Sequence, residues 1–227
     1  MTGSGVSAES GVPTFRDAQT GLWAQYEAEQ LATPEAFVSN PRLVWDWYVW
    51  RRELVAKAEP NAGHHALSQL ETLVPSLTLV TQNVDGLHQR AGNPEVIEFH
   101  GRIDRDRCFV CGQIPNVPVE SEKRPPPCPL CGGLLRPDVV WFGESIPDDA
   151  LKRATDAVTR CDLFLSVGTS SLVYPAAGLA QAAADQGAVI VEVNTNRTPL
   201  TAQADFPLQG LATFWLPAIV AAVERAQ

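Results

Sequence analysis

The chain has 227 residues, 45% of them hydrophobic, and a formal net charge of −9 at neutral pH. That length suffices for one sizeable α/β domain with smaller inserts, and the negative charge argues against nucleic acid as a main partner, because phosphate binding needs a basic face. With no run of 18 apolar residues and no basic-then-apolar leader, the expectation is a cytoplasmic protein without a membrane segment; a monomer is also expected.

The N-terminus opens on Thr2-Gly3-Ser4-Gly5, with only Met1 before it. A dinucleotide fold leads into its glycine turn with a strand, so the first strand is expected to be missing and the loop poorly anchored. Gly3-Ser-Gly5 alone is a weak signal. The run from Ser7 through Gly11, Phe15 and Arg16 adds weight, since such glycines let the backbone approach a pyrophosphate while helical N–H groups face the anion.

Residues 21–59 read as helical and rich in aromatics: Trp23, Tyr26, Phe37, Trp45, Trp47, Tyr48 and Trp50. Thr33-Pro34-Glu35 and Asn40-Pro41 are helix starts with Pro in the first turn. The second leads through residues 42–58 and puts Tyr48 and Arg51, three apart, on one face. Pro60-Asn61 breaks it, and a helix follows over about residues 62–73. Its His64 and His65 read as structural.

Residues 77–80 form a short apolar run, a buried strand, that stops at Thr81, Gln82, Asn83, Asp85 and Gly86. A second β-favouring run, 96–99, ends on His100-Gly101. Polar side chains just past the C-terminal ends of strands are where open α/β sheets bind ligands. The first cluster supplies amides and a carboxylate; the second supplies an imidazole able to move protons near neutrality. In the plainer alternative, Asn83 and Asp85 cap the next helix and His100 bonds within a turn. His88, on that helix, reads as structural.

Cys108-x2-Cys111 and Cys128-x2-Cys131 have the spacing of a zinc ribbon, two knuckles meeting on one tetrahedral ion. The segment between them is poor in apolar residues and holds Pro125-Pro126-Pro127, so metal must supply its order. Disulfides are the alternative, disfavoured in a chain with no secretion signal. Four thiolates leave no open position for water, which argues against a catalytic zinc. Cys161, the fifth cysteine, reads as a small buried hydrophobe.

Beyond Gly132 the chain returns to α/β material. Residues 136–144 are a strand leaving into a loop, a helix follows Pro147 to about 159, and 162–167 is a buried strand ending at Gly168-Thr169-Ser170. An Ala-rich helix over 174–186 precedes a strand at 188–193 that ends on Asn194-Thr195-Asn196, and a helix over 217–226 closes the chain. Alternating strands and helices imply a parallel, doubly wound, Rossmann-like sheet. Its strand ends would form one cofactor-binding rim. The expected division assigns 1–22, 61–100 and 137–227 to this domain. A helical insert (23–60) and the zinc ribbon (101–136) make a small second domain.

Taken together, TGSGVSAESGVPTFR at the N-terminus, TQNVDGLHQRAG followed by a strand and His-Gly, the four cysteines, Phe142-Gly143-Glu144, Gly168-Thr169-Ser170 and Asn194 resemble the sirtuin family in the family's order. Sirtuins carry a hydrophobic first strand ahead of the glycine loop, and usually Ala where Ser4 stands. The resemblance implies an NAD-dependent protein deacylase that yields nicotinamide, free lysine and O-acyl-ADP-ribose, with NAD and zinc as cofactors and acylated-lysine proteins as partners.

By the same resemblance, His100 would be the general base that deprotonates a ribose hydroxyl. Gln82 and Asn83 would hold the nicotinamide ribose and an ordered water, Asp85 the carboxamide, Phe15 would shield the reactive carbon, and Arg16 would lie near the phosphates. Gly3, Ser4, Gly5, Ser7, Gly168, Thr169, Ser170, Asn194, Thr195, Asn196 and Ala212 would line the dinucleotide. Val140, Phe142, Gly143 and Glu144 would pair with the substrate peptide as an added strand. Ala32, Tyr48 and Arg51 resemble the marks of class III, the branch that removes succinyl and malonyl groups: a small residue widens the acyl pocket while Tyr and Arg bind the distal carboxylate. Rival readings are a plain deacetylase, a mono-ADP-ribosyltransferase, and a catalytically impaired NAD- or zinc-ribbon binding module with a truncated N-terminus.

Overall fold

The computed structural model describes residues 1–14, 26–116, 119 and 121–227. Phe15, Arg16 and Trp23 lie outside the described residues.

Gly5–Ala8 makes a single helical turn, α1. In the insert, α2 (Ala28–Leu31) precedes α3 (Pro34–Ser39) and α4 (Pro41–Lys57). The last two begin as the sequence predicts. Thr33 Oγ1 accepts the Ala36 N–H at 3.1 Å, Asn40 Oδ1 accepts the Leu43 N–H at 3.1 Å, and proline fills the first helical position, where its missing N–H leaves no bond unmade. In α5 (Ala62–Leu73) the Asn61 side chain accepts from the first turn, while His64 Nδ1 accepts the Asn61 N–H, a reciprocal cap.

Strands β1 (Leu79–Thr81) and β2 (Val96–Glu98) pair in parallel around α6 (Leu87–Arg90). An antiparallel pair follows, β3 (Gly101–Cys108) with β4 (Leu135–Val139), its register shifted between Arg102 and Asp106. Then come α7 (Asp148–Val158), β5 (Leu163–Val167), α8 (Gly178–Asp185), β6 (Val189–Asn194), a 3₁₀ turn at Pro199–Ala202, β7 (Phe206–Gln209) and α9 (Ala212–Ala226). β5, β6 and β7 run parallel in that order.

Met1 and Thr2 join the two groups of parallel strands. Thr2 bridges Thr81 on one side and Val167 on the other. Its N–H bonds to Val80 O at 2.9 Å and its carbonyl accepts from Gln82 N at 3.0 Å, while Val167 N bonds to Met1 O and Gly3 N to Val167 O, both at 2.9 Å. The expectation of a poorly anchored glycine loop is therefore corrected: the loop leaves the middle of the sheet, tied on both sides.

Helices cover both sheet faces. Phe99, Phe164, Ile190 and Leu179 are buried with the inner residues of α7 and α8, Ala154 and Ala183 among them. Val6, Leu67, Leu70, Val167, Val193 and Leu216 are buried with α5 and α9. A third cluster joins Ala32, Phe37, Trp47 and Tyr48 of the helical insert to Ile103, Val139 and Trp141. A fourth packs Trp45 against Cys108, Cys128 and Leu135.

Several elements differ from the sequence reading, among them α8, which begins at Gly178 and not at 174. β3 was not expected, because GRIDRDRC carries charge on both faces; Arg105 is neutralised by Glu98 and Asp138, each at 2.8 Å. β7 contains Pro207, which is tolerated on an edge strand that needs no donor there. α9 starts at Ala212, five residues before the expected Pro217, since Ala212, Leu216 and Val220 continue one buried face through the proline.

Candidate active site and metal centre

The glycine loop and the turn after β5 meet backbone to backbone. Gly5 N donates to Gly168 O at 2.9 Å. A Cβ on Gly5 would lie 2.7 Å from Gly168 Cα, one on Gly3 2.8 Å from Gly168 O, and Gly168 has φ +60°, so only glycine fits at this contact. Thr169 is buried; its carbonyl accepts Asn194 Nδ2 at 2.7 Å, tying the end of β6 to the same turn, and Ser170 beside it is half-buried. Asn194 and Asn196 line a cavity of about 170 Å³ with Glu192, Arg197, Thr201 and Gln209, and Thr195 lies exposed between the two asparagines. Ala212 is buried at the start of α9, close beneath Gly63.

At the neighbouring rim, past β1 and β2, His100 Nδ1 lies 3.1 Å from the Gln82 carbonyl, and burial lowers the pKa of the ring. Asn83 Nδ2 donates to Gly3 O at 3.0 Å and to Ser7 Oγ at 3.1 Å. Ser7 Oγ in turn donates to Asp85 Oδ2 at 2.7 Å, and Leu87 N–H donates to Asp85 Oδ1 at 2.9 Å. Burial pushes the Asp85 carboxyl up, against the pull of these two donors. The structure thus brings Gly3, Ser7, Asn83 and Asp85 into one network.

His64 belongs to that network, a contact the sequence reading missed. Because its Nδ1 accepts the Asn61 N–H, its Nε2 carries the hydrogen and donates to Ser7 Oγ at 3.3 Å. The signal was the Asn61-x-x-His64 spacing at a helix start. Asn61 Nδ2 also reaches Val6 O at 2.8 Å and Ser10 Oγ at 2.9 Å, so the α5 cap supports the whole glycine loop. His88 packs 4.9 Å from His64 and holds Thr2 Oγ1 at 2.9 Å. Glu192 was also missed: it is a buried carboxylate that accepts from the hydroxyls of Thr198 and Thr201.

On the other side of His100, Val140 N–H bonds to the His100 carbonyl at 3.0 Å, and Phe142 N–H to the Ala32 carbonyl at 3.0 Å. Ala32 and Tyr48 share one buried cluster, whereas Phe142 is 43% exposed. Tyr48 is 3% exposed, and its hydroxyl accepts the Trp141 indole N–H at 2.9 Å. Burial pushes this phenol up to about 12, opposed by the Arg51 charge. Arg51 lies over the Trp47 ring, 5.1 Å from its centroid. The Glu144 side chain turns inward: it takes Arg136 Nη2 at 2.9 Å and Trp141 N–H at 2.8 Å, closing the turn whose Gly143 has φ +86°.

The four cysteine sulfurs all lie within 4.8 Å of one another. Cys108 to Cys131 is 3.4 Å and Cys111 to Cys128 is 3.9 Å. Four thiolates about 2.3 Å from a tetrahedral zinc would stand ~3.8 Å apart. Backbone N–H groups of Val110 and Cys111 point at Cys108 Sγ, that of Leu130 at Cys128 Sγ and that of Gly133 at Cys131 Sγ, donors that favour thiolate. The cluster fits a closed structural zinc site.

A Sir2 family model matches residues 3–175 of the chain. The NAD-dependent protein deacylase of Aquifex aeolicus is 54% identical over 206 residues, covering 90% of this chain and 86% of its own length. NAD-dependent protein deacylase 2 of Pyrobaculum aerophilum is 50% identical over 225 residues, covering 99% and 90% respectively. A crystal structure of a Sir2 homolog–NAD complex aligns with a TM-score of 0.92 at 48% identity, covering 99% of this chain and 88% of that one. With a glycine loop locked against the turn after β5, a histidine at the strand ends and a thiol tetrad, this chain belongs to the Sir2 family, the sirtuins.

Proposed function

We propose that the protein is an NAD-dependent protein-lysine deacylase and that succinyl and malonyl groups are its preferred acyl substrates. The first part is carried by the two relatives of that name, each at least half identical, and by the polar network at the ends of β1 and β2. The acyl preference is supported by one contact above all. The Ala32 carbonyl holds Phe142 N–H within the cluster that buries Tyr48, so the residues proposed for the acyl end adjoin the segment proposed for the peptide.

When bound, NAD supplies a ribose carbon that becomes electrophilic as nicotinamide leaves. The packed loop of Gly3, Ser4 and Gly5 and the turn of Gly168, Thr169 and Ser170 would hold the dinucleotide, with Asn194 tied to the far side of that turn. Asp85, its carboxylate steadied by Ser7 and Leu87, would accept the carboxamide N–H. Gln82 and Asn83 would orient a ribose hydroxyl. His100 takes the proton from that hydroxyl at Nε2, because Nδ1 faces a carbonyl. The substrate peptide would add as a strand beside the main chain of Val140, Phe142 and Gly143, and Glu144 serves it by closing the turn. We read the protein as a monomer acting on acylated proteins, with zinc ordering residues 108–131.

The balance is acyl-lysine, NAD and water in; lysine, nicotinamide and O-acyl-ADP-ribose out. Labelled NAD incubated with acetyl- and succinyl-lysine peptides in parallel tests it. O-acyl-ADP-ribose formed faster from the succinyl peptide is expected. Label found on the peptide would instead mean ADP-ribosyl transfer.

A further inference from the structure

We infer that Trp141 is a positioning residue for acyl selectivity: its indole N–H fills one acceptor site of the Tyr48 hydroxyl and leaves that hydroxyl's own hydrogen to donate to the distal carboxylate of a dicarboxylic acyl group. The inference rests on the acyl-pocket reading of Tyr48 and Arg51 above and deepens it by naming what aims the phenol.

The indole nitrogen can only donate, whereas a phenol hydroxyl can donate once and accept. The 2.9 Å contact therefore has one sense, Trp141 to Tyr48. Among the described residues no acceptor takes the hydrogen of Tyr48 in return. A hydroxyl this deeply buried is driven to find a partner. Any second partner of this hydroxyl must accept, and an ionised carboxylate only accepts. A phenol hydrogen chooses between two orientations in the ring plane, and a donor at one side bars the hydrogen from pointing there. The acetyl group, with no distal oxygen, offers nothing at that position.

Trp141 is itself held with little freedom. The Arg136 guanidinium lies 3.3 Å from its ring centroid, and Arg136 in turn is clamped by the Glu144 carboxylate. That carboxylate also accepts the Trp141 backbone N–H. Phe37 packs on the ring with centroids 5.4 Å apart. A cation over the ring face draws charge from the indole and makes its N–H the stronger donor. The chain Glu144–Arg136–Trp141–Tyr48 thus links the turn proposed for the peptide to the hydroxyl proposed for the acyl group.

Trp141→Phe keeps an aromatic ring and deletes only the donor and the second ring. Steady-state kinetics on matched succinyl- and acetyl-lysine peptides should show the ratio of KM values, succinyl over acetyl, rising about tenfold, with kcat on the succinyl peptide little changed. In a Tyr48→Phe background the same substitution should leave the ratio where it is, because no hydroxyl remains to be aimed. A wild-type ratio in Trp141→Phe, or an equal change in the Tyr48→Phe background, overturns the inference. Failure of the underlying acyl reading shows separately, as a wild-type enzyme that does not distinguish the two peptides, and that result overturns both. Should Trp141→Phe not fold, the Trp141 indole N–H resonance in ¹⁵N-tryptophan-labelled protein carries the test. It should shift on binding the succinyl peptide and not the acetyl one, and equal shifts refute the coupling.

Discussion

His100 presents Nδ1 to the main-chain carbonyl of Gln82 at 3.1 Å. A carbonyl oxygen only accepts, so Nδ1 carries the hydrogen and Nε2 is left bare to take a proton. Burial lowers the ring's pKa from the usual 6.5, with the Gln82 bond opposing. A protonated ring cannot act as base, so activity should be full above the ordinary histidine range and lost as pH falls through a value below 6.5. His100→Ala should lose about 10²–10⁴ in rate with its melting temperature unchanged. A pH–rate profile whose acid limb inflects above 6.5, or near-normal turnover in the variant, would move the base elsewhere.

His64 and His88 predict acid sensitivity of the fold itself. Burial lowers their pKa values to about 4 and about 3, from 6.5. Both stay neutral in the folded chain and charge when it unfolds, so the unfolded state binds more protons below 6.5. Their stability contribution is present above that value and lost as pH falls toward 4. Two protons correspond to a slope of about 2.7 kcal/mol per pH unit. Urea titrations at pH 7, 6 and 5 should show it; a midpoint constant across that range would contradict it.

Much of the site was legible because it is local. A strand followed by Gln82-Asn83-x-Asp85, a strand followed by His100, and two Cys-x2-Cys pairs each announce themselves within a few residues. The reading of a helix over about residues 62–73 matches α5, because Pro60-Asn61 marks the break just before it. What escaped was non-local. Thr2 anchors the glycine loop through Thr81 and Val167, which lie 79 and 165 positions away. His64 reaches Ser7 across 57 positions and Trp141 reaches Tyr48 across 93. No periodicity reports a side chain bonding to a distant element. β3 escaped for another reason: its Arg105 is paired with Glu98 on β2 and Asp138 on β4, and its Asp106 with Arg52 on α4.

The thiol tetrad predicts dependence on metal. Cys108 and Cys128 are buried together with Trp45 and Leu135, so metal and a small apolar cluster order the same segment. A structural zinc in finger peptides contributes roughly 10–16 kcal/mol of apparent binding free energy. Cys128→Ala should therefore give insoluble or unfolded protein, and chelation should lower the melting temperature. One zinc per chain is expected by elemental analysis of freshly purified, reduced protein; its absence would sink the assignment.

Arg51 and Tyr48 carry the prediction on acyl preference. They stand one turn apart on α4, Tyr48 buried in the cluster that includes Ala32 and Arg51 over the face of Trp47. In a chain of net charge −9, a dicarboxylic acyl group entering needs a local cation. Arg51 can fork onto a carboxylate with two parallel bonds, and the neutral Tyr48 hydroxyl can add a third. Each hydrogen bond to a charged group contributes about 1.5–3 kcal/mol, which is roughly ten- to a hundredfold in kcat/KM. Arg51→Met should lower kcat/KM on succinyl- and malonyl-lysine peptides by at least that factor relative to acetyl-lysine. Tyr48→Phe should do so less, because it removes one neutral donor and no charge. If Arg51→Met lowers both substrates equally, the guanidinium supports α4 through Trp47 instead, and the enzyme is then a deacylase without dicarboxylate preference.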